Sequence, residues 1–117
     1  MKNKILLINS DKIELQENSI FLEKEGYNVY TAENVTIGLI SAIRVLPDII
    51  LSILDSNCNE FHICKALKKI PETSLIPIIF ITNTPQEILT GLKLGINGFL
   101  IKPYTNEKML EIINIHI

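Results

Sequence analysis

Residues 47–57 read PDIILSILDSN, an apolar run that ends in Ser52 and Ile53, with Asp55 two places further on. A buried strand delivers one side chain from its carboxyl end, and a carboxylate delivered there would be a reactive group. In this chain the strand end holds a hydroxyl and a hydrocarbon, and the aspartate sits in the loop beyond. A second polar group, Asn9-Ser10-Asp11, closes the apolar run KILLIN at 4–9. Two further clusters have the types for other chemistry. Cys58, His62 and Cys64 are soft-metal donors, but tetrahedral zinc takes four ligands and only the distant His116 remains to supply one. A loop cysteine, a helix-surface histidine and a buried cysteine are the expectation. Gly91, Gly95 and Gly98 fall at the end of a helix and the start of a strand, the wrong place for a phosphate loop, and read as packing and capping residues. Lys65, Lys68 and Lys69 read as a solvated helix face.

The elements that hold these residues follow from periodicity and punctuation. KILLIN is continuously apolar, as a strand buried on both faces must be. SDKIELQENSIFLEKEG follows with Ile13, Leu15, Ile20, Phe21 and Leu22 at helical spacing, Asp11 and Glu14 as a capping arrangement, and Gly26 as a stop. YNVYTA (27–32) alternates as an outer strand, and a helix over about 34–45 ends before Pro47. The stretch 48–53 is a third strand, EFHICKALKKI a third helix that Pro71 bars from continuing, and IPIIFIT (76–82) a fourth strand. In TPQEILTGLKLG, Thr84 is placed as N-cap, Pro85 at the first helical position, Glu87 three after the cap and Gly95 at the end. GFLI (98–101) is a fifth strand and TNEKMLEIINIHI a last helix.

Five strands alternating with five helices imply a parallel sheet covered on both faces, doubly wound, with order 2-1-3-4-5. In such sheets the site lies where the carboxyl ends of strands 1 and 3 diverge, which points at Asn9–Asp11 and at residues 52–55. The 117 residues suffice for one domain, 1–117, with 47% hydrophobic and 21% charged residues. A net charge of −2 gives no footprint for nucleic acid or an anionic membrane. No apolar run reaches the length of a membrane span and no leader peptide is visible, so a cytoplasmic chain is expected.

The segments FLEKEGYNVYTAEN, PDIILS, FHICKALKKIPETSLIPIIFIT and GLKLGINGFLIKPY together resemble the response-regulator receiver domains of two-component signalling, over essentially all of 4–115. The resemblance implies a flavodoxin-like (βα)5 fold. It also implies transfer of a phosphoryl group from a histidine kinase to an aspartate on strand 3, with two acidic residues after strand 1 holding magnesium. A Thr or Ser on strand 4 and a Lys on strand 5 would touch the phosphoryl oxygens.

Matched position by position, the acidic pair falls on Asn9 and Ser10, and the acceptor on Ser52 or Ile53. Asp11 comes one place late and reads as a helix cap. Asp55, two residues past Ile53, is displaced by several ångströms from the nucleophile's place, and Ser52 has no evident base to activate it. Thr82, Lys102 and Pro103 match, and the resemblance implies a cis Lys102–Pro103 bond. Phe99 matches the aromatic switch residue and is expected as an ordinary packed ring. Lys102 is expected to pair with Asp11 or an exposed carbonyl.

The expectation is therefore a degenerate receiver, not an enzyme and needing no cofactor. It would act in two-component signalling by binding a protein partner or a fused output or kinase domain. It could also pair with itself through the fourth helix, fifth strand and last helix, with Met109, Ile112 and Ile113 as interface candidates, unless a following segment of a longer protein covers that face. The alternative is an active phosphoacceptor using Asp55 with Mg2+. A third reading, an unrelated ligand binder of the same fold, would need a phosphate loop that NSDK does not make.

Overall fold

Because its central strands, Lys4–Ile8, Ile49–Ile53 and Ile78–Thr82, are mostly apolar, the sheet has to be covered on both sides, and the order of elements in the computed structural model shows how. It describes residues 2–54 and 60–117, and for Glu60 and Phe61 the backbone alone. Asp55 and Cys58 lie outside the described residues. The chain runs β1 (Lys4–Ile8), α1 (Lys12–Lys24), β2 (Asn28–Ala32), α2 (Val35–Val45) and β3 (Ile49–Ile53). It continues through α3 (Glu60–Lys69), β4 (Ile78–Thr82), α4 (Pro85–Leu94), β5 (Gly98–Ile101) and α5 (Asn106–His116). All pairings are parallel, and the strand order is β2-β1-β3-β4-β5, as expected.

Period-two alternation divides the core. Ile5, Leu7, Ile49, Leu51, Ile53, Ile79 and Ile81 project to one face, where Leu15 and Leu22 of α1 and Met109 and Ile113 of α5 cover them. Leu6, Ile8, Ile50, Ile78 and Phe80 project to the other, under Ala42 of α2 and Ile63, Cys64 and Leu67 of α3. Every residue of β3 and β4 is buried. Two helices come unusually close to the sheet through glycine. A Cβ on Gly38 would stand 2.5 Å from the Ile8 side chain, and one on Gly91 would stand 2.9 Å from the Phe80 ring. Gly91 thus serves packing and Gly95, at φ +100, the end of α4.

Several local expectations are corrected. Ile13 and Ile20 share the helical period of α1 but face solvent, leaving Leu15 and Leu22 as its buried residues. Met109 and Ile113 are fully buried in the α1–α5 layer, and Ile112 is partly buried against the same layer, so they belong to the core and not to a surface. A helix beside an edge strand needs one inward stripe, and these positions supply it. The exposed apolar residues of this region are Leu89, Leu92, Phe99, Ile101, Ile115 and Ile117. Lys68 is not part of a solvated face. Its ammonium donates to the carbonyls of Ser74 and Ile76 and to Asn97 Oδ1, at 3.2–3.4 Å, and ties α3 to the loops before β4 and β5.

Candidate functional site

β1 and β3 lie side by side, with Ile8 opposite Ser52, and their following helices leave to opposite faces of the sheet. The crevice at their carboxyl ends is where this fold places a site. Asn9, the first residue after β1, is buried; its Oδ1 accepts the Asp11 backbone N–H at 3.0 Å. Its Nδ2 has no partner among the described residues. Ser10 is exposed. Asp11 caps α1 as expected, its Oδ1 accepting the backbone N–H groups of Ile13 and Glu14 at 3.0 and 3.1 Å. A carboxylate so placed is held by the helix N-terminus.

At the end of β3, Ile53 is 4% exposed and packs in the layer that holds Leu15, Ile81 and Leu100. Ser52 points to the opposite face, fully buried, and its hydroxyl has no partner among the described residues. No described carboxylate projects from this strand end.

Thr82 ends β4 and is buried. Its hydroxyl donates to Glu87 Oε2 at 2.6 Å, a length proper to a charge-assisted O–H···O⁻ bond, and accepts the Thr84 backbone N–H at 3.0 Å. Its carbonyl accepts the Lys102 N–H at 2.8 Å. The Lys102 ammonium lies 3.1 Å from Glu14 Oε1 and 3.3 Å from Oε2, both side chains about one-third exposed. This corrects the expected pairing with Asp11 or a free carbonyl: Asp11 is engaged by amides, and Glu14 reaches across from the first turn of α1. The Lys102–Pro103 peptide is cis. Phe99 is 41% exposed on the edge strand and so is not an ordinary packed ring.

Glu14 and Glu87, which the sequence marks only as helix-start residues, are the side-chain partners of Lys102 and Thr82. Each stands three residues after its helix's cap, Asp11 and Thr84, where a capping-box role was expected. Thr84 makes no side-chain cap bond at all. Each glutamate instead turns to a side chain at a strand end. The signal available in the sequence was this repeated position, opposite the polar ends of β4 and β5.

A cleft of about 520 Å³ opens beside this pair, lined by Glu14, Asn18, Asn83, Lys102, Tyr104 and Asn106 among others. Burial pushes the Tyr104 phenol above its ordinary value, with the Asn18 hydrogen bond opposing and the Glu14 charge adding to the shift. The thiol candidates separate. Cys64 is buried with its thiol 3.3 Å from the Leu94 carbonyl, and burial raises its pKa against the lowering effect of Lys68. His62 is exposed, and His116 holds the carbonyls of Ile112 and Asn97. Among the described residues no group of three acidic, histidine or cysteine side chains could hold a metal.

The family model for the response regulator receiver domain matches residues 5–114. Protein PilH of Pseudomonas aeruginosa is 34% identical over 114 residues, covering 95% of this chain and 94% of that protein. The probable transcriptional regulator ycf29 of Pyropia yezoensis is 32% identical over 117 residues, but the chain spans 53% of its length. Among solved structures, the chemotaxis response regulator CheY4 of Vibrio cholerae superposes with a TM-score of 0.91 at 25% identity, over the whole of both chains.

Proposed function

The chain belongs to the response regulator receiver family, and from that premise we propose that it is a phosphorylation-independent receiver that signals by binding protein. The observation that carries this reading is Ile53: the last residue of β3, the family's acceptor position on one of the two alignments, is a buried hydrocarbon, and the other alignment puts the unactivated Ser52 there.

The donors around it do not fit the family's magnesium. Asn9 and Ser10 are uncharged, the Asn9 oxygen already accepts an amide, and Glu14 is neutralised by Lys102. A hard divalent cation is recruited by an excess of carboxylate oxygen, and among the described residues the pair positions after β1 and the end of β3 supply no carboxylate. The lysine and threonine that would contact the phosphoryl oxygens are also both engaged.

What such a domain offers instead is surface. Leu89 and Leu92 on α4, Phe99 and Ile101 on β5, and Ile115 on α5 are exposed apolar residues of one region, the kind that marks a protein-binding face. No helix among the described residues is long and apolar enough to cross a membrane. The test is the intact mass of the protein after incubation with acetyl phosphate and magnesium, beside an ordinary receiver. No adduct is expected. A stoichiometric adduct that Asp55→Asn removes would establish the alternative, a phosphoacceptor moved along the loop.

A further inference from the structure

Four residues at the carboxyl edge of the sheet form one continuous chain of polar contacts. Glu14 in the first turn of α1 holds the Lys102 ammonium at 3.1 Å. The Lys102 backbone N–H donates to the Thr82 carbonyl at 2.8 Å. The Thr82 hydroxyl donates to Glu87 in the first turn of α4 at 2.6 Å. The chain therefore crosses from one covering layer to the other through the ends of β5 and β4. α1 and α4 cover opposite faces of the sheet, and this route joins their first turns by way of side chains.

We propose that Glu14 and Glu87 are built-in carboxylate ligands of Lys102 and Thr82, and that they regulate the domain by fixing the start of α4, and with it the α4–β5 surface, in one position. The inference rests on the receiver reading above and supplies its regulation: the groups that would answer to an added phosphoryl are answered from within the fold. Three features support it. Thr82 is buried, so its hydroxyl must choose one strong partner, and a carboxylate at hydrogen-bond distance outcompetes neutral acceptors. The same hydroxyl accepts the Thr84 N–H, so the rotamer that satisfies Glu87 also sets the turn into α4. Glu14 and Glu87 further occupy equivalent helix positions and leave the N–H of their cap residues to other groups: Asn9 Oδ1 takes the Asp11 N–H on α1, and the Thr82 hydroxyl takes the Thr84 N–H on α4. Glu14 and Glu87 are positioning residues in this scheme, acting through Lys102 and Thr82.

Amide hydrogen exchange on the unmodified chain, without phosphodonor, tests the arrangement. Glu87→Ala is expected to speed exchange at the Thr84 amide about tenfold, the usual worth of a charge-assisted bond. Glu87→Gln, which keeps an acceptor, should recover most of that protection. Glu14→Gln, on the far face, should also speed exchange at Thr84 and at Lys102. In a Thr82→Val background, where the chain is already cut and the side-chain volume kept, Glu14→Gln should add nothing at α4. An effect of Glu14→Gln confined to α1 and β5 would overturn the proposal, as would additive effects of Glu14→Gln and Thr82→Val at α4. The acetyl phosphate experiment is independent of this one. An adduct there would remove the phosphorylation-independent reading while leaving the exchange result to stand on the apo protein.

Discussion

Asn9, just after β1, and Ser52, next to last in the neighbouring β3, each keep one buried polar atom, Nδ2 and Oγ, without a partner among the described residues. A buried group left unsatisfied costs its desolvation, on the order of 1–3 kcal/mol. Ser52→Ala removes the hydroxyl and leaves a methyl group at the register position between Ile8 and Phe80. The variant is expected to be as stable as the parent or more so, by up to about 1 kcal/mol, in urea unfolding. A loss of more than that would mean the hydroxyl is bonded.

Returning a carboxylate to the acceptor position should be costly. Ile53→Asp puts a charge among Leu15, Ile81 and Leu100, and the Lys102 ammonium is already committed to Glu14. A destabilisation of about 3 kcal/mol or more is expected. Joined with Asn9→Asp and Ser10→Asp, it should become magnesium-dependent, read as a rise in unfolding midpoint on adding the ion.

The Glu14–Lys102 pair is part-exposed, so its contribution to stability is small even if its effect on α4 is not. Glu14→Gln should cost about 0.5–1 kcal/mol, and less at high salt. Chemical denaturation at two ionic strengths measures both.

Ile113 and Ile115 lie two residues apart on α5 with opposite fates. Ile113→Glu buries a charge in the α1–α5 layer and is expected to abolish folding, whereas Ile115→Lys should change stability by less than about 0.5 kcal/mol. Circular dichroism melts separate the two. Only the second class of variant, with Leu89→Lys and Leu92→Lys, can report on self-association by sedimentation.

Tyr104 gives a pH signature. Its phenol is raised above the ordinary value of 10.0, so folding favours the neutral form. That stabilisation is full below pH 10 and is lost as pH rises through the raised value. Asn18→Ala should raise the value further and Glu14→Gln should lower it, read by ultraviolet titration of the phenolate.

Strand runs such as KILLI and IIFIT carried the fold, because four consecutive apolar residues between turn signals, too short for a helix, fit a strand buried on both faces. The same reasoning located Asn9, Ile53, Thr82 and Lys102 at one end of the sheet. What it could not reach were choices among equals. Glu14 and Glu87 both fit a capping box, and only the positions of β4 and β5 show that a strand-end side chain competes successfully with the cap. Likewise Met109, Ile113 and Ile115 are all apolar on one short helix, and the direction of the sheet decides which turn outward. Lys68 read as a solvated lysine because its acceptors are backbone carbonyls, which no sequence pattern announces.

Ile53 has one further consequence. A hydrocarbon plug has no charge state to gain or lose and no ion to compete for, so under the proposed reading the domain carries no modified fraction. Its output then scales with how many copies the cell makes and how many partners are free to receive them. A signal passing through this chain would be written in abundance, and it would last as long as the protein itself.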